Sequence, residues 1–81
     1  MKKIVVIKEY KKVLIFSNYM ELKGQNGDFI LGYEHIKELY ILQDINIPIK
    51  YLLKIIKKFP IYFINSDGYI LARLCEVKDE E

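Results

Sequence analysis

The residues of this chain that could do chemistry are few and stand apart. Glu34, His35 and Glu38 have the i, i+1, i+4 spacing at which carboxylates and an imidazole converge on one side of a helix, as a divalent metal requires. The segment is too short for such a helix and runs into an apolar strand, so His35, the sole histidine, reads as a surface-turn residue. A general base also needs a nucleophile within reach, and none is placed beside it. Cys75 is the only cysteine, which excludes an internal disulfide and a two-cysteine metal motif; it reads as a strand-end residue. Tyr10 offers chemistry of another kind. It sits among Lys8, Lys11 and Lys12, where an exposed ring would stack on an unpaired base while the lysines hold the backbone phosphates. A tyrosine that merely covers its own turn is the plainer alternative.

The remaining cationic candidates are Lys54, Lys57 and Lys58, which share the polar side of a predicted helix with Lys50, and Arg73 near the end of the chain. The net charge is only +2, with twelve lysines to one arginine. Lysine lacks the planar fork that reads base edges, so this set suits phosphate contact and not sequence recognition. Lysines on an outer helix face also serve simply to solubilise it.

The elements that must carry these residues are legible in the apolar pattern. Ile4-Val5-Val6-Ile7 and Val13-Leu14-Ile15-Phe16 are β-branched runs separated by the charged segment Lys8 to Lys12, a pattern that predicts an opening hairpin. Tyr19 to Lys23 alternates, with Met20 and Leu22 on one face, and predicts a half-exposed strand. The run Gly24-Gln25-Asn26-Gly27-Asp28 is a turn signal, Phe29-Ile30-Leu31 a short strand, and Gly32 to Lys37 a bend. Leu39 to Leu42 suits a buried strand. Pro48 then opens a helix capped by Asn46 or Ile47, with an apolar stripe at Ile49, Leu52, Leu53, Ile56 and Phe59, and Pro60 ends it. Ile61-Tyr62-Phe63-Ile64 has no polar face, which predicts a strand covered on both sides and paired in parallel with Leu39–Leu42. Asp67-Gly68 marks a hairpin turn into a return strand, Tyr69 to Leu74. The fold class is therefore α+β, mostly β. Small twisted sheets or a sandwich are expected, with one β-α-β unit around an amphipathic helix and a terminal Asp-Gly hairpin.

Residues 1–75 read as a single β-rich domain and 76–81 as an acidic tail. A chain of 81 residues buries only about 60% of its unfolded surface, so its core is marginal. Hydrophobic residues make up 52% of it, a surplus that points to a homodimer or a neighbouring domain. No apolar run approaches the roughly 18 residues of a membrane span, and Lys2 and Lys3 precede too few apolar residues for a signal peptide. The expectation is a cytoplasmic protein without membrane contact and without a cofactor.

The spacing of Ile36–Leu42, Ile47-Pro48 with its helix, Phe59-Pro60-Ile61-Tyr62-Phe63 and Gly68-Tyr69-Ile70-Leu71-Ala72-Arg73-Leu74 resembles the N-terminal β-domain of the CRISPR spacer-acquisition integrase. Members of that family show an acidic residue and Ile before the strand, matched by Glu34 and Ile36. They also show an apolar-Pro-apolar-x-Phe strand and a glycine hairpin ending in a small residue, a basic residue and Leu. The likeness covers Lys3 to Leu74. Gly32, Pro48, Lys58 and Ala72 depart from the family's usual proline, serine, glycine and glycine.

The resemblance implies a scaffold without its chemistry. In that family the metal-dependent DNA strand transfer resides in a larger helical domain built on a glutamate, a histidine and a further acidic ligand, and no residue here matches those ligands. The chain is expected to be non-catalytic, to dimerise, and to help seat DNA, either as a piece of an integrase or as a free-standing relative. Expected partners are a second copy, the full-length integrase or another CRISPR adaptation protein, and DNA. The expected DNA contacts are Lys8, Tyr10, Lys11, Lys12, Lys54, Lys57, Lys58 and Arg73. Pro48, Pro60, Phe63, Asp67 and Gly68 are expected to be structural. Two alternatives are a free-standing interaction module that regulates a defence system, and an unrelated small α+β protein of toxin-antitoxin type.

Overall fold

The computed structural model describes residues 1–75; the expected acidic tail, 76–81, lies outside them. Strands β1 (Lys3–Ile7), β2 (Tyr10–Ile15), β3 (Tyr19–Gly24) and β4 (Gly27–Gly32) are followed by a 3-10 turn, Tyr33–His35, and β5 (Ile36–Leu42). Helix α1 (Ile49–Leu53), β6 (Ile61–Ile64) and β7 (Ile70–Arg73) complete the order. Two sheets result, one in the order β1-β5-β6-β7 and one in the order β2-β3-β4. The mostly-β, α+β class and the β-α-β unit are as the sequence predicts: β5 and β6 pair in parallel, Leu39 opposite Ile61 through Leu42 opposite Ile64.

The opening hairpin does not form. β1 pairs in parallel with β5, while β2 pairs antiparallel with β3 in the other sheet. Tyr10, Lys11 and Lys12 extend β2, which leaves only Lys8 and Glu9 between the strands. A two-residue hairpin turn needs positive φ, and among the described residues only Gly27 and Gly68 have it. The chain therefore turns a corner at Lys8-Glu9, and each strand enters a different sheet.

The helix also departs from expectation. Only Ile49–Leu53 is α-helical, with Pro48 as the flanking residue and no side-chain cap from Asn46. Beyond it the turns tighten to i→i+3 bonds, Lys54 N to Tyr51 O, Ile55 N to Leu52 O and Lys58 N to Ile55 O. Three residues per turn advance the buried face, so Leu52, Ile55 and Phe59 go inward while Ile49 and Leu53 stay exposed. The Pro60 carbonyl accepts the Leu39 N–H at 2.9 Å and so ties the helix exit to the sheet.

A single core joins Leu52, Ile55 and Phe59 to Met20 and Leu22 of β3 and to Ile7, Leu39, Ile41 and Ile61 of the larger sheet. Helix and small sheet thus pack on the same face of the larger one. The second layer expected over β6 is absent among the described residues: Ile4 and Val6 stay exposed on the outer face, and Ile64, though buried, lies outside the core. The apolar run in β6 misled because its outward Tyr62 is held by an aromatic neighbour and not by a covering layer.

Candidate interaction surfaces

The outer face of the larger sheet is built from residues that alternate with the core positions of β1, β5 and β6. Register sets them in rows: Ile4 opposite Glu38; Val6, Tyr40, Tyr62 and Arg73 across all four strands; and Leu42, Ile64 and Ile70. Tyr40 and Tyr62 stack with centroids 4.9 Å apart, and the Arg73 guanidinium lies 5.6 Å over the Tyr62 ring. The Tyr40 hydroxyl donates to Glu38 Oε1 at 2.9 Å, and that bond, with partial desolvation, raises the phenol's pKa. Ile4, Val6, Tyr40, Leu42 and Ile64 line a groove of about 540 Å³ that ends at Lys8 and the Asn65–Gly68 turn. This face of cross-strand pairs is partly apolar, with the Glu38 carboxylate on β5 and the Arg73 guanidinium on the edge strand β7.

The β6-β7 turn is organised by Asn65, a residue the sequence pattern did not single out. Its Oδ1 accepts the N–H groups of Asp67 (3.0 Å) and Tyr69 (2.9 Å), an Asx-type arrangement. Gly68 takes φ +88° as expected, whereas Asp67 has no positive φ. Asn65-Ser66-Asp67-Gly68 is consequently a longer turn than a two-residue Asp-Gly hairpin. Phe63 is half-buried against the core, and Tyr69 is exposed.

The cationic candidates do not converge on one place. Lys57, Lys58 and Arg73 border a groove of about 640 Å³ floored by Ile56, Phe59, Pro60 and Leu74, with Cys75 at its edge. Lys8 lines a second groove with Tyr10, Gly24 and Phe29. Lys12 lines a third with Tyr51, and Lys54 stands 5.4 Å from the Tyr51 ring. Lys11 is the extra residue where the β2-β3 register shifts. Tyr10 belongs to β2, not to a turn: it is half-buried, lies edge-on to Phe29 at 6.1 Å, and its ring closes over Gly24. Tyr51 is exposed, with Lys50 at 5.2 Å and Lys54 at 5.4 Å from its ring. Its position off the apolar stripe, between lysines at i−1 and i+3, was the available signal.

His35 is exposed and 3.7 Å from Glu34 Oε1, and Cys75 is exposed. No group of three potential metal ligands comes together among the described residues, nor is any described helix long and apolar enough to cross a membrane.

No protein-family model matches this sequence, and no curated protein matches it. Solved structures do. A CAS1 protein from Thermotoga maritima aligns with TM-score 0.71 at 18% identity over 89% of this chain and 24% of its own. A chain of a partial Cas6-RT-Cas1-Cas2 complex aligns with TM-score 0.73 at 7% identity, over 96% and 24% respectively. A casposase bound to integration product aligns with TM-score 0.59 at 12% identity, over 91% and 25%. At these identities the likeness establishes the fold, and the chain spans about a quarter of the length of each protein it matches.

Proposed function

We propose that this chain, whose fold is that of about a quarter of a Cas1-type integrase, is a non-catalytic pairing and scaffold domain for CRISPR adaptation. The observation that carries this reading is the uncovered outer face of the four-stranded sheet. Ile4 (57% exposed), Val6 (43%) and Ile70 (57%) lie there beside the stacked tyrosines. Such a patch on a small domain is an interface in search of a cover. A two-fold axis crossing the Val6-Tyr40-Tyr62-Arg73 row at its middle would lay Tyr40 of one copy opposite Tyr62 of the other and Arg73 opposite Val6, the self-complementarity an isologous dimer needs. A full-length integrase carrying the same domain, or another adaptation protein, is the alternative occupant in the same system.

DNA seating belongs to the same proposal. The Lys57, Lys58 and Arg73 groove supplies clustered cations over an apolar floor, while Lys8 and Tyr10 line a separate groove near the β1-β2 corner. Contacts of this kind hold phosphates and leave sequence unread. The protein acts where such DNA lies, in the cytoplasm.

Sedimentation velocity over a concentration series tests the pairing. A dimer is expected, and Val6→Glu should shift it to monomer without loss of circular dichroism; a wild-type monomer at every concentration overturns the reading. Branched DNA is expected to bind in low salt, with Arg73→Ala lowering the salt slope by about one. If Tyr10→Ala and Arg73→Ala both leave binding unchanged, the seating role fails.

A further inference from the structure

We propose that the free edge of β2 is a strand-addition site for an extended, acidic segment of a partner protein. This surface lies on the smaller sheet, away from the pairing face, and does not depend on it.

The geometry begins with the backbone. β2 pairs only with β3, so it is an edge strand of its sheet. The Phe16 N–H donates to the Tyr19 carbonyl at 3.0 Å, which makes Phe16 and Tyr19 a hydrogen-bonded pair. Antiparallel pairs alternate, so Ile15 opposite Met20 and Val13 opposite Leu22 are non-hydrogen-bonded pairs, and their N–H and C=O groups point away from β3. Among the described residues none of these groups has a backbone partner. They form a row of alternating donors and acceptors at strand spacing, the template an added strand requires.

Edge strands are normally blunted by lysines and bulges. Here both devices sit at one end, where Lys11 is the bulged residue and Lys12 follows it. They stop there. Val13, Leu14, Ile15 and Phe16 continue the edge with no charge and no bulge. Phe16 is exposed, its ring stacked on Tyr19 at 4.9 Å.

The edge also has a facing wall. Lys12 to Phe16 form one side of a groove of about 410 Å³, and Asn46, Pro48 and Tyr51 form the other. A groove between a strand edge and a helix entry admits one extended chain, with alternate side chains turned toward the apolar lining. Its charge selects the occupant. No acidic residue lines it, Lys12 lies at one wall, and the Lys50 and Lys54 ammonium groups sit over the Tyr51 ring at the other. Acidic residues on the outward positions of an added strand would meet these three cations. A single-stranded nucleic acid could use the lysines and Tyr51, but it would leave the outward N–H and C=O row of Val13 and Ile15 unanswered.

The test uses the full chain and a fluorescent seven-residue peptide of alternating Glu and Val as probe. Saturable binding is expected, weakened about ten-fold by Lys12→Glu or Lys54→Glu. Hydrogen exchange at the Val13 and Ile15 amides should slow on binding. N-methylation of alternate peptide amides should abolish binding in one parity and spare it in the other, while Ile30→Lys on the β4 edge should change nothing. Any of three results overturns the proposal: no saturable binding at about 1 mM peptide, equal tolerance of both N-methyl parities, or displacement of the peptide by oligothymidine without protection of Val13 and Ile15. Because Val6 lies on the pairing face and does not line the β2-edge groove, the dimer readout of Val6→Glu fails or succeeds separately from this one.

Discussion

At the scale of single residues, the side chains that hold the molecule are mostly not the ones that look chemical. Tyr33 is 6% exposed, donates its hydroxyl to the Phe16 carbonyl at 2.6 Å and tilts against Phe59 at 5.8 Å. Tyr33→Phe should cost about 1 kcal/mol, the net worth of one internal hydrogen bond, read by urea unfolding at neutral pH. Burial pushes the Tyr33 phenol above its ordinary pKa of 10.0, so the folded state favours the neutral form. Its contribution is complete below the unfolded pKa and is lost as pH rises through the folded one. Unfolding measured from pH 8 upward should therefore show stability falling above about pH 10, and less steeply in Tyr33→Phe. Neither this bond nor the Asn65 turn could be read from sequence, because each partner is defined by where the backbone goes. The positive φ at Gly68 could be read, since local sterics alone demand it.

At the scale of elements, periodicity located every strand, and the errors came from pairing and from winding. The Met20-Leu22 alternation became the buried face of β3, and the β-α-β unit formed with the predicted parallel pairing. The apolar stripe of the helix follows 3.6 residues per turn, whereas the last turns wind near three. Substitution separates the two. Ile55→Ala should cost about 2–5 kcal/mol, as a fully buried isoleucine does, while Ile49→Ala should stay within about 0.5 kcal/mol. Thermal or denaturant unfolding of the two variants reads the difference directly, and equal costs would return the buried face to Ile49. β1 was legible as a strand but not as the neighbour of β5, because an apolar strand carries no mark of its partner and a non-local pairing depends on the whole chain.

At the scale of the whole molecule, the fold shared with the Cas1 and casposase chains stands here over about a quarter of their length, with an apolar sheet face that no described residue covers. On the proposed scaffold reading it should neither cleave nor join DNA when magnesium or manganese is added, as gel electrophoresis of a labelled branched substrate would show. Metal-dependent products from the purified chain would reverse that assignment. The sequence by itself determined the class, the strands, the β-α-β unit and the family likeness, because these follow from local sterics and from the alternation of apolar residues along the chain. The tertiary structure alone decided that β1 leaves β2, that both the helix and the small sheet cover the same face, and that the cationic residues fall in three separate groups. Those outcomes depend on which apolar surfaces meet across long stretches of chain, and the strand patterns are compatible with more than one such meeting.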